Sequence, residues 1–241
     1  MTPSTPQRSA DADFMLTPVG LIIQVAAVGA VSLLLPPTLI WFPLGLAITA
    51  GGLMALSNDR WRDLGFYRPQ VPALRWVLEG AVTGLLWQLV TAGILLPALN
   101  ALFGRSPAPG TRAGDLAYLI YSIILFGILQ ALAKGLGHRG FLLNRLERIF
   151  GWSDPRPAEG LVGGNAPAAM PPIPWVPVLI GSVLFGLANW FVGPIGVISA
   201  MFAGLVFNLL YYWSRRNIWP TIVAHAVYNT TLFVLIYLGR A

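Results

Sequence analysis

Hydrophobic positions along this chain gather in long unbroken runs, each about the length of a bilayer crossing. A transmembrane helix needs roughly 17–25 predominantly apolar residues. Such runs fall at about 16–35, 37–56, 74–99, 116–137, 173–190, 194–213 and 218–238. They predict an all-α fold, a polytopic transmembrane helical bundle of about seven spans. The range is six to eight, because the first two runs are joined only by the Pro36-Pro37 turn.

Polar stretches divide the runs. Residues 1–15 lack the charged, apolar and small-residue order of a signal peptide and read as a disordered tail. In RGFLLNRLERIF, residues 139–150, Phe141, Leu142, Leu146, Ile149 and Phe150 recur at helical spacing beside Arg145 and Arg148. That pattern predicts an amphipathic helix lying at the membrane face. Residues 151–172, rich in Gly, Pro and Ala, read as a flexible linker inside a single transmembrane domain spanning 16–241.

Composition strengthens this picture. The chain is 56% hydrophobic and only 10% charged, with a mean hydropathy of +0.70, where a soluble domain carries roughly 25% charged residues. Nine Trp and twelve Phe suit interfacial aromatic anchors. The absence of cysteine excludes disulfides, thiolate metal sites and a cysteine nucleophile.

The net charge of +6 raises the question of nucleic acid, but the arginines are scattered between apolar runs rather than gathered on one face. Topology accounts for them instead. Arg8, Arg60, Arg62, Arg68, Arg75, Arg139, Arg145, Arg148, Arg156, Arg215 and Arg216 fall on one side of a seven-span chain, and only Arg105, Arg112 and Arg240 on the other. The positive-inside rule then puts the N-terminus in the cytoplasm and the C-terminus outside a cell membrane, here read as a bacterial inner membrane.

Ionisable groups in the hydrocarbon are costly, so each is a functional candidate. The spans hold Glu79, Lys134, His225 and, at a helix end, His138 with Arg139; Asn189, Asn208 and Asn229 add amides. Lys134 and His138 are i and i+4, as are His225 and Asn229, so each pair shares a helix face. The span boundaries set Asn189 near the outer end of its helix, away from Lys134 in depth. Arg75 sits one turn from Glu79 and pairs with it. Plainer roles compete: His225 and Asn229 as interhelical glue, Lys134 snorkelling to the interface, and Arg139, Arg145 and Arg148 contacting lipid headgroups. Gly181, Gly186, Ala188, Gly193, Gly196, Ala200 and Gly204 read as close-packing positions.

GHRGFLLNRLERIFG, SVLFGLANWF and AGLVFNLLYYWSRRNIWPTIVAHAVYN, in that order, resemble the three conserved blocks of the CPBP (Abi) family of CAAX-processing and bacteriocin-immunity intramembrane proteases. WRDLGFYRP upstream is similar to the family's lead-in, so the likeness covers about 55–240. The resemblance implies an intramembrane endopeptidase whose EExxxR glutamate activates water, helped by FxxxH and HxxxN motifs. Here Arg139 matches the arginine, but the glutamates fall on Lys134 and Gly135. Phe185 matches, but the histidine falls on Asn189. Only His225 and Asn229 keep their motif whole.

A general base must accept a proton from a water within hydrogen-bond reach, and neither an ammonium nor a glycine does so. A metal site needs about three ligands such as His₂Glu, which two histidines without a carboxylate do not supply, so no cofactor is expected. The reading is a catalytically inactive pseudoprotease: a binding, scaffold or accessory subunit whose helical cavity holds a transmembrane or lipidated segment, a lipid or another membrane protein, with no nucleic-acid partner. The alternative is an active endopeptidase with rearranged residues, using His138 or Glu79. A transporter would show paired broken helices, and none is present.

Overall fold

The computed structural model describes residues 14–35, 40–57, 59, 61–66, 73–104, 113–152 and 172–240. Most of the predicted tail, the Pro36-Pro37 turn and nearly all of the predicted linker lie outside the described residues.

Among the described residues seven apolar helices follow one another: α1 Pro18–Leu34, α2 Trp41–Leu56, α3 Ala73–Phe103, α4 Leu116–Ile149, α5 Trp175–Leu187, α6 Trp190–Trp213 and α7 Ile218–Tyr237. Four of them, α3, α4, α6 and α7, are long and apolar enough to cross a membrane. The chain is a helical membrane bundle, as the hydrophobic pattern predicts. Three of the helix starts carry side-chain caps. The Thr17 hydroxyl accepts from the Gly20 N–H at 3.1 Å, Asp115 from Tyr118 at 2.9 Å, and Asn217 from Trp219 at 3.1 Å, each satisfying an N–H that the helix leaves unpaired.

Close helix packing depends on missing side chains. A Cβ on Gly80 would stand 2.4 Å from the Pro220 carbonyl oxygen, and one on Gly84 2.3 Å from that of Ala224, so α3 and α7 touch backbone to backbone. These two glycines form a G-x-x-x-G pair, which the sequence reading passed over. Of the glycines it did single out, Gly186 lies against Val197 and Gly204 against Phe185, whereas a Cβ on Gly193 would meet nothing.

The predicted surface helix at 139–150 is not separate. Helix α4 runs 34 residues without a break, to Ile149, and Phe141, Leu142 and Leu146 join Val28, Phe42 and Leu46 in the core shared with α1 and α2. Two of its three arginines, Arg139 and Arg145, are fully buried rather than at the surface. Arg145 donates to Gln24 at 2.8 Å and Asn144 at 3.1 Å while pairing with Asp59. Arg148 reaches the same carboxylate at 3.3 Å. Glu147 accepts from Tyr212 and pairs with Arg216. The physical reason is partner supply: carboxylates from Asp59 and Glu147 meet the guanidinium groups inside the bundle, which makes their burial tolerable.

Within α4 the segment Gly135–Leu142 is wound as a π-helix, and the Leu143 N–H bonds back to the His138 carbonyl five residues earlier. Three glycines line it. A Cβ would stand 2.6 Å from Ile222 at Gly135, 2.6 Å from Leu46 at Gly137, and 2.9 Å from the Leu64 carbonyl at Gly140. With α7, α2 and the turn at Leu64 closing against the bare backbone, all eight residues of the segment are buried.

Candidate functional site

Phe185, near the end of α5, is the hub of the buried polar cluster. Its ring meets His138 edge-on at 5.3 Å and His225 at 5.7 Å. The Lys134 ammonium lies 5.0 Å from its centroid and the Arg139 guanidinium 4.8 Å. Three helices thus converge on one aromatic ring. Helix α4 supplies Lys134, His138 and Arg139, α5 supplies Phe185, and α7 supplies His225.

The polar groups divide into satisfied and unsatisfied ones. Lys134 is 3% exposed, donates to Asn189 Oδ1 at 3.4 Å and lies 5.5 Å from the Phe42 ring. Asn189 in turn donates to the Phe185 carbonyl at 2.9 Å. His138 Nε2 stands 3.2 Å from the Ser32 hydroxyl. His225 stacks on Phe207 at 5.6 Å. Asn229 donates to the Phe126 carbonyl at 2.8 Å, a carbonyl within the second π-wound stretch of α4, Ile123–Leu129. Arg139, wholly buried, rests on Phe185 and, at 5.1 Å, on Phe207. Yet its Nε, Nη1 and Nη2 meet no hydrogen-bond partner among the described residues, and neither do His138 Nδ1 and His225 Nδ1.

Two expectations change. Lys134 does not snorkel, because the helix carrying it continues to Ile149 and leaves it deep in the bundle. Asn189 does meet Lys134, where the span boundaries had separated them. The expected Arg75–Glu79 pairing is present at 2.9 Å, beside a groove of about 510 Å³ lined by Leu78, Val82, Leu209 and Trp213 and away from the Phe185 ring. Asn208 donates to Ser182 at 3.2 Å. Among the described residues no three His, Cys, Asp or Glu side chains gather as a metal site.

The sequence pattern does not single out Ser32, Phe42 or Phe207 as site residues. Nothing in their spacing marks them, since an apolar span surrounds each and only the packing of α1, α2 and α6 brings them in.

A family model described as type II CAAX prenyl endopeptidase, Rce1-like, matches residues 116–231. No curated protein and no solved structure matches the chain. The matched stretch runs from the start of α4 into α7 and carries Lys134, His138, Arg139, Phe185, Asn189, His225 and Asn229. Over that stretch the chain is similar to the Rce1-like membrane proteins of the CPBP family.

Proposed function

We propose that this protein is a catalytically silent member of its family, a pseudoprotease that serves as a binding, scaffold or accessory subunit in the membrane. The observation that carries the reading is the Lys134–Asn189 hydrogen bond. At the position where the family resemblance puts the water-activating glutamate stands a donor, and its partner replaces a histidine. A general base needs an acceptor within hydrogen-bond reach of the water; here the donor is already engaged and Gly135 contributes no side chain. The polar residues left around Phe185 are fitted to hold something rather than to hydrolyse it, and the occupant we favour is a lipid, a lipidated or transmembrane segment, or a neighbouring membrane protein. The basic asymmetry of the loops supports a cytoplasmic N-terminus and an outer C-terminus.

The test is peptide hydrolysis by the purified protein on prenylated and transmembrane model peptides, beside a variant carrying Lys134→Glu, Gly135→Glu and Asn189→His. Ile222→Ala is added, because a side chain at Gly135 collides with Ile222. Inert wild type with a cleaving variant is the expected result. Cleavage by wild type that is lost in His225→Ala overturns the proposal.

A further inference from the structure

Building on the silent-site reading, we propose that the Arg139 guanidinium is the anchor for a carboxylate at the head of an apolar chain, bound against Phe185 and Phe207. The reasoning is a count of donors and acceptors. Arg139 offers five N–H donors and accepts nothing; it is 0% exposed, and its three nitrogens bond to nothing among the described residues. Lys134 has donors left beyond its one bond to Asn189. The same ring contacts both histidines, each with an unpartnered Nδ1. Leaving a buried charged donor unmet is among the costlier defects a fold can carry. Two described carboxylates, Asp59 and Glu147, are committed elsewhere, Asp59 to Arg145 and Arg148 and Glu147 to Arg216.

What the cluster lacks is an acceptor-only group. A carboxylate supplies two oxygens and about four lone-pair sites, matched to the guanidinium fork. A monoanion also loses less hydration on entry than a phosphate dianion would. The family pattern shows where this demand comes from. A glutamate at the position of Gly135 would be i, i+4 to Arg139, the spacing of an internal ion pair. Its replacement by glycine leaves the guanidinium in place without that partner. The remaining wall is aromatic, and beside Asn189 the side chains of Leu187 and Trp190 are exposed, so an apolar tail leaves the cluster toward lipid.

Two sources share this chemistry, a membrane fatty acid and the free C-terminus of an apolar peptide. The experiment measures the thermal unfolding midpoint of the full chain in phosphatidylcholine nanodiscs against four probes: dodecanoate, dodecanol, an apolar peptide acid and its C-terminal amide. At least one acid raises the midpoint saturably while its neutral twin does not. Dodecanoate alone identifies the lipid source, and the peptide acid alone the peptide source. Arg139→Gln weakens the response at least tenfold. Gly135→Glu with Ile222→Ala, which supplies the internal carboxylate, folds and no longer responds. If neither acid exceeds its neutral twin in wild type, the anion site is wrong even if both variants fail to fold. Peptide cleavage is followed in the same samples. Cleavage by wild type sinks the silent-site reading, whereas absence of acid preference without cleavage sinks only the anion site.

Discussion

Lys134 and Asn189 sit 55 positions apart in the chain and share one hydrogen bond, Nζ to Oδ1 at 3.4 Å. They are the positions where the family resemblance calls for a glutamate and a histidine. Both have changed, and the new pair is chemically consistent: a cationic donor facing an amide oxygen. Their meeting follows from helix length. Leu143 of α4 and Val178 of α5 pack in one cluster. Lys134 stands nine residues before Leu143 on α4, and Asn189 eleven residues after Val178, two residues past the end of α5.

Removing the amide exposes the cost of the buried ammonium. Asn189→Leu is expected to destabilise the protein by about 1–2 kcal/mol, the cost of an unmet buried donor. Lys134→Met removes the charge and is expected to be neutral or stabilising, and in the Asn189→Leu background it recovers most of the loss. Thermal unfolding of the four proteins in detergent, read as a double-mutant cycle, checks this; strictly additive effects would refute the coupling.

The Asp59–Arg145 pair should behave as a buried ion pair broken from one side. Asp59→Ala strands a fully buried guanidinium and is expected to cost about 3–5 kcal/mol. Arg145→Met combined with Asp59→Leu should cost far less than Asp59→Ala alone. Denaturation midpoints of the two variants decide the order.

Glycines separate by what stands over them. Gly84→Ala drives a methyl group into the Ala224 carbonyl, whereas a Cβ at Gly51 meets nothing within 4 Å. Gly84→Ala is therefore expected to cost about 1–3 kcal/mol through overpacking. Gly51→Ala, inside α2, is expected to be neutral or to stabilise by up to about 1 kcal/mol. Equal effects in a melting experiment would contradict the backbone contact between α3 and α7.

Asn229 donates to a backbone carbonyl, so its replacement has a predictable rank order. Asn229→Ala loses one hydrogen bond, about 1 kcal/mol. Asn229→Asp, isosteric but acceptor-only when ionised, turns an oxygen toward the Phe126 carbonyl and is expected to be worse than alanine. Melting temperatures at neutral pH test the order.

The apolar runs, the turn signals between them and the motif spacings made much of this protein readable before any coordinates. All seven helices lie where the hydrophobic runs fall, because the bilayer demands that each span satisfy its own backbone with apolar side chains outward. Arg139, Phe185, His225 and Asn229 were found by pattern, as was the Arg75–Glu79 pair, which needs only one turn of helix. The stretch 139–150 misled because helical spacing with flanking arginines describes a surface helix and a buried one equally well. The difference lies in whether distant carboxylates are in reach, and Asp59 stands 86 positions from Arg145.

The division is physical. Local chemistry along the chain determined the class of fold, the positions of the apolar helices and the family resemblance, because hydropathy and motif spacing are properties of neighbours in sequence. Tertiary packing decided the rest: the depth of Asn189, the burial of Arg145, the convergence of α4, α5 and α7 on Phe185, and the unmet donors of Arg139. Each of these depends on how closely helices far apart in the chain approach, and that approach is set by bare glycine backbones and by where a helix happens to stop.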